Sequence, residues 1–292
     1  MTAIIDTHIH VWDLSRADYP WLKGDTSVLN RTWQIEEIEE ERLKANVVSG
    51  VLVQAAGNAE DTEVMLETAR RTSWISGVVI WLPLINTDAT QKLLEEKFLK
   101  EKYFKGVRHQ VHDEKDTKWL LQPAVIESLK LLADHTIPYD AVGILPAHLE
   151  TALRVSELLP ELQIVLDHLN WPPITTKEKF GKWGDLIRQA AQLKNVHAKI
   201  SGLGTASGNF ENRTAEDIKP YVEFVLNHFS PGRCFCGGDW PVSTLANGYA
   251  QTWMITKHIL GDILSEKEKN DVLYFNAEKF YHLQLSNTGT CK

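Results

Sequence analysis

The feature that most constrains the fold is a repeated alternation. Eight short apolar runs begin near Ala3, Val47, Ile75, Phe104, Ile137, Leu162, Val196 and Arg233, with amphipathic segments between them. Each run is rich in Val, Ile, Leu or aromatic residues, as a strand buried on both faces should be. The intervening segments carry apolar residues at three- and four-residue intervals, one face of a helix. Gln34 to Ala45 has Ile35, Ile38 and Leu43, and Pro123 to His135 has Val125, Ile126, Leu129, Leu132 and Ala133. Trp183 to Leu193 and Ile218 to Phe229 repeat the pattern. Thr214 with Asp217, and Ser265 with Glu268, have the spacing of capping boxes. Strands that alternate with helices call for a parallel sheet, and eight of them call for a closed (β/α)8 barrel of the TIM type. An open doubly wound sheet is the alternative, but no Gly-rich phosphate loop follows the first run. No Pro/Gly/Ser-rich linker interrupts the series. The expectation is therefore one barrel over residues 1–285 and a polar tail over 286–292.

Composition agrees with a globular chain. Of 292 residues, 43% are hydrophobic and 24% charged, which excludes a disordered or collagen-like chain and a small disulfide scaffold. The net charge is 31 − 39 = −8, so there is no basic field to hold a phosphate backbone, and nucleic acid is not an expected partner. No apolar run reaches the roughly 18–20 residues that cross a bilayer. The opening MTAIIDTHIH lacks a basic n-region and a long apolar core, so cytoplasmic residence is the default expectation. Three cysteines are too few for a disulfide framework. Cys234 and Cys236 read as reduced, packed thiols, since no second pair completes a tetrahedral site. Cys291 falls in the polar tail.

The polar residues at the ends of the runs carry the chemistry. Asp6, His8 and His10 lie at i, i+2 and i+4, so strict alternation puts all three on one face of the first strand. Two imidazoles one pleat apart can chelate a cation or flank a polar ligand. Active sites of barrels sit at the C-terminal mouth, where this strand ends. Asp239 follows Gly237-Gly238 at the end of the eighth run. If the barrel closes, the eighth strand neighbours the first, and a carboxylate stands beside two imidazoles. Such a carboxylate can ligate a metal, act as a general base, or both. His168 ends the sixth run in VLDHLNWPP, and Arg108 ends the fourth in FKGVRHQVHDE. The planar guanidinium of Arg108 suits carboxylate or carbonyl oxygens. Gln54, Asp140 and Lys199 end or lie on further runs and are candidate substrate contacts. So are Trp12, in the long aromatic connection from Val11 to Trp33, and Trp240.

Six segments in order, DTHIHVWD, GVRH, VLDHLNWPP, KISGL, GGDWPV and FNAEKFYHL, make the chain resemble the amidohydrolase-superfamily lactonases. These include L-fuconolactonase, L-rhamnonolactonase and 2-pyrone-4,6-dicarboxylate lactonase. The resemblance runs from Ile5 to about Leu283. It implies a (β/α)8 barrel that hydrolyses the ester of a small cyclic lactone. Carried over, Asp239 activates water, His168 faces the substrate carbonyl, Arg108 holds the substrate, and His8 and His10 are the first-strand pair. Two-metal members carry a bridging lysine carbamate or glutamate at the fourth strand, where this chain reads Gly106-Val107-Arg108. Many one-metal members carry a histidine at the fifth strand, where it reads Pro138-Tyr139-Asp140. The expected cofactor is therefore either one zinc-like divalent metal on His8, His10 and Asp239, or none. The expected partner is a small lactone or sugar acid. Two rival readings share this residue set: metal-dependent decarboxylation of an aromatic or unsaturated acid, and a non-enzymatic sugar-binding barrel that uses the ten tryptophans for stacking.

Overall fold

A computed structural model of the chain describes residues 2–208 and 214–285. The expected tail at 286–292, with Cys291, lies outside the described residues. All eight apolar runs are strands: β1 (Ile4–Ile9), β2 (Val47–Val53), β3 (Ile75–Ile80), β4 (Phe104–His109), β5 (Tyr139–Ala141), β6 (Ile164–Leu166), β7 (Val196–Ile200) and β8 (Cys234–Cys236). They pair in chain order, each parallel to the next. The seam between β8 and β1 is a parallel bridge of Ile9 and Trp240. Two backbone bonds reinforce it, from Asp239 N–H to the His8 carbonyl at 2.8 Å and from His10 N–H to the Trp240 carbonyl at 2.7 Å. The fold is a single (β/α)8 barrel of the TIM type.

The helices follow the predicted periodicity. They are α1 (Glu39–Ala45), α2 (Ala59–Arg71), α3 (Thr87–Glu96), α4 (Pro123–Asp134), α5 (Pro146–Leu158), α6 (Gly181–Gln192), the short α7 (Leu203–Ala206), α8 (Ala215–Phe229), α9 (Tyr249–Ile263) and the short α10 (Glu266–Asn270) and α11 (Asn276–Phe280). The expected helix over Gln34 to Ala45 begins as a 3₁₀ turn at Ile35–Ile38 before α1. Both expected capping boxes form, Thr214 with Asp217 and Ser265 with Glu268. Among the described residues, no helix is long and apolar enough to cross a membrane.

The barrel interior is layered. At its base Ile5, Val51, Val53, Val79, Val165 and Phe235 pack against Phe280, Tyr281 and Leu283, which close the N-terminal end. Above them lies a polar layer, and at the mouth lie the histidines. Cys234 and Cys236 flank inward-facing Phe235 and pack with the outer core. Both are free and buried, and burial pushes the Cys234 thiol up to about 12, which leaves it inert.

Candidate active site

One expectation from strict alternation fails at β1. Asp6 does not share a face with His8 and His10. The pairing of β1 with β2 breaks register between Asp6 and Ile9, and a bulge of this kind shifts which side chains face in. Ile5 belongs to the barrel interior. Asp6 turns to the helix layer, where Oδ2 accepts the Tyr249 hydroxyl at 2.6 Å and Oδ1 accepts the Gly238 N–H at 2.8 Å. Beyond the break His8 and His10 face inward. Asp6 thus ties β1 to β8 and α9. Burial raises its carboxyl to about 6, against the pull of these hydrogen bonds.

The seam then places Asp239. Its Oδ1 lies 3.6 Å from His10 Nε2 and 3.9 Å from His8 Nε2, and the two imidazole Nε2 atoms are 3.1 Å apart. Gly237 permits this approach, because a Cβ there would sit 2.5 Å from the His8 Cβ. His10 Nδ1 is 2.7 Å from the Val53 carbonyl. A carbonyl only accepts, so Nδ1 carries the proton and a neutral His10 turns its lone pair toward His8. Two lone pairs cannot face each other at 3.1 Å, so a proton or a cation belongs between them. Ligands tetrahedrally arranged about one zinc stand about 3.4 Å apart, and the 3.1, 3.6 and 3.9 Å triangle matches one such ion. It is the one three-residue donor group of this kind among the described residues.

His168 completes the mouth. Its ring lies 4.4 Å from that of His8, and its Nδ1 is 2.9 Å from Ser201 Oγ. Burial lowers its pKa, against the pull of Asp239 and Asp167, so it is neutral at pH 7. It sits on an unusual turn. His168, Leu169, Asn170 and Trp171 all have left-handed φ, from 52 to 60°, and each such residue costs roughly 1–2 kcal/mol. The Trp183 indole donates to the Leu169 carbonyl at 2.8 Å and helps hold the turn.

Beneath the mouth lies a layer of buried charge. Lys199 Nζ is 2.5 Å from Asp140 and 2.8 Å from Asp167, and Arg108 Nε is 3.2 Å from the other Asp167 oxygen. The Tyr281 hydroxyl donates to Asp140 at 2.7 Å. Two cations and two carboxylates balance. Burial alone would raise Asp167, but Lys199, His8 and Arg108 outweigh it and hold the carboxyl well below its ordinary value. Asp167 also stands 3.5 Å from His8 Nδ1, as does Lys199. Burial drives His8 well below its ordinary value.

The remaining expected substrate contacts are placed as follows. Asp140 and Lys199 are sealed within the charge layer. Trp12 is buried with its indole donating to the Arg31 carbonyl. Trp240 is buried edge-on to Trp33. Gln54 is buried with its carbonyl accepting from Arg108 Nη1 at 2.7 Å, while its own Oε1 has no protein partner among the described residues. Sequence reasoning missed the His109 unit. His109 stacks on Trp119 at 3.9 Å and bonds Glu114 at 2.7 Å. The signal was there, since His109 follows Arg108 directly in GVRHQVHDE.

The amidohydrolase family model matches residues 5–283. The chain belongs to the amidohydrolase family. Its curated relatives include an L-fucono-1,5-lactonase of Burkholderia ambifaria, 31% identical over 249 residues, covering 85% of this chain and 84% of the relative. The L-fucono-1,5-lactonase of Burkholderia multivorans is 26% identical and covers 96% of each chain. An amidohydrolase of Burkholderia multivorans, solved with bound HEPES, superposes with a TM-score of 0.89 at 25% identity, covering 97% of this chain and 100% of that one. The expected resemblance therefore holds, and this amidohydrolase has lactone hydrolases among its relatives.

Proposed function

We propose that this amidohydrolase opens a small sugar lactone with water activated by Asp239. The observation that carries the reading is the carboxylate of Asp239 facing two imidazoles at the barrel seam, in a chain whose curated relatives include L-fucono-1,5-lactonases. Asp239 takes one proton from water. The water oxygen bonds to the lactone carbonyl carbon, and His168 and Arg108 face the charge that grows on the carbonyl oxygen. The ring C–O bond then breaks and the leaving oxygen takes the proton from Asp239, which gives a hydroxy acid. Arg108 suits this role because its planar guanidinium carries donors beyond Nη1, which holds the Gln54 carbonyl, and Nε, which faces Asp167. Losing one such donor costs on the order of 10²–10³ in rate. Gln54 Oε1 is a further contact for a substrate hydroxyl. Asp140 and Lys199 support these groups through Asp167, and Trp240 through its bridge to Ile9 at the seam.

His8 Nε2, His10 Nε2 and Asp239 Oδ1 would hold one divalent metal. When bound, such an ion lowers the pKa of water to about 7 and polarises a carbonyl. A lactone is an easier electrophile than an amide, so Asp239 and the preorganised donors carry the reaction in this reading. The test is a screen of aldonolactones with a pH indicator, run beside candidate aromatic acids assayed for CO₂. Acid release from a lactone supports the reading. CO₂ release without lactone opening overturns it in favour of decarboxylation.

A further inference from the structure

A cavity beside the site lies between the loops that follow β1, β2, β3 and β4. It measures about 970 Å³. Its walls carry the indoles of Trp21, Trp81 and Trp119, the His109 ring, and the carboxylates of Asp113 and Glu114. Among the described residues that line it there is no lysine or arginine. Asp18 is paired with Lys23 at 2.8 Å, while Glu114 bonds His109 at 2.7 Å and Asp113 stands 3.9 Å from His112, two imidazoles that burial holds below their ordinary pKa. Two buried ring nitrogens at this wall, Trp81 Nε1 and His109 Nδ1, have no protein partner among the described residues. The groove reaches the mouth through Gln110, whose side chain accepts from Gln54, and the Gln54 carbonyl accepts from Arg108.

We propose that this groove is the subsite for an uncharged, polyhydroxylated ring, and that it selects neutral sugar lactones against lactones that bear a carboxylate. The proposal rests on the lactonase reading and deepens it. Flat indole faces take the apolar face of a sugar ring. Ring nitrogens and carboxylate oxygens take its hydroxyls, since a carboxylate accepts and an indole N–H donates. An anionic ligand would meet Asp113 and Glu114 with no cation on the wall to balance it. Arg108, on the path inward through Gln54, has its charge matched by Asp167 at 3.2 Å. The sign of the groove also suits turnover. Ring opening converts a neutral substrate into a carboxylate, which the same wall repels.

The test is tryptophan fluorescence titration at pH 7 with a methyl pyranoside and with the matching uronic acid, which needs no turnover. The neutral sugar is expected to bind at least about tenfold tighter than the uronate, and Trp81→Ala to weaken it by about tenfold. Asp113→Lys is expected to raise uronate affinity, and it serves alone if Trp81→Ala does not fold. Equal binding of the two sugars by the wild type, or an Asp113→Lys chain with unchanged preference, overturns the proposal. If lactones are opened but neither variant shifts the preference, this inference fails and the lactonase reading stands. If no lactone is opened while the neutral sugar still binds through Trp81, the lactonase reading fails and the groove stands.

Discussion

Lys199 shows how much of the site rests on single buried groups. It bonds both Asp140 and Asp167 with no exposure to solvent, so its loss leaves two buried carboxylates against the single positive charge of Arg108. Lys199→Met is expected to lower stability by roughly 3–5 kcal/mol, the usual cost of breaking a buried pair from one side. Urea unfolding would read this as a lower midpoint, and a loss under about 1 kcal/mol would mean that the charge layer does not hold the barrel. Gly202 makes a different point. Its φ is +60°, and a Cβ there would lie 2.4 Å from His168 Nδ1 and 2.9 Å from Asp239 Oδ2. Gly202→Ala is expected to displace both groups and to cost on the order of 10² in kcat, since a shift of about 1 Å has that effect. Near wild-type kcat in the folded variant would show that His168 and Asp239 tolerate movement. His8 and His10 were legible in the sequence because an HxH needs only alternation. Asp6 was misread by the same rule, because a bulge leaves no mark on a polar–apolar pattern.

At the level of elements, the loops that leave the strands set the site, and each is pinned by specific bonds. Helix α2 is capped by Asn58. Its first-turn Asp61 accepts the N–H groups of Ala55 and Ala56 at 2.9 and 3.2 Å, which ties the β2 loop to the helix. Burial raises the Asp61 carboxyl from 3.8 to about 7. Between those values the folded chain binds the proton more tightly than the unfolded one, so Asp61 makes stability fall as pH rises through that window. Asp61→Asn is expected to flatten this decline. Urea midpoints at pH 5 and pH 8 for both chains check it, and equal slopes would contradict it. The turn at 168–171 is the element that the sequence hid. DHLNW contains no glycine, the usual sign of positive φ, yet four residues are left-handed. Trp183→Phe removes the indole bond to Leu169 and is expected to cost about 1 kcal/mol of stability. It should also lower kcat without a matching rise in KM, because His168 rides on that turn. A variant with lower stability and unchanged kcat would make Trp183 merely structural.

On the scale of the whole molecule, the eight strands were legible because a parallel strand is buried on both faces and reads as a continuous apolar run. Even the three-residue strands β5, β6 and β8 were marked by such runs. Asp239 was legible only through closure. It is 231 residues from His8 in the chain, and the bond from its N–H to the His8 carbonyl exists only because the last strand meets the first. The charge layer was less legible. Arg108, Asp140 and Lys199 come from three strands and Asp167 from the turn after β6, and nothing local to any of them announces the other three. The seam holds the one such donor group among the described residues, which also bounds metal content. Elemental analysis of the purified protein is expected to find no more than one divalent ion per chain at His8, His10 and Asp239, and two tightly held ions would contradict the site. The central claim is that Asp239 activates water for lactone opening. Its most direct test is steady-state hydrolysis of a neutral aldonolactone by the wild type and by Asp239→Asn, which keeps size and most hydrogen bonds but not the proton acceptor. The account predicts a folded variant whose kcat falls at least about 10²-fold while KM changes little. A folded Asp239→Asn chain with near wild-type kcat would contradict it.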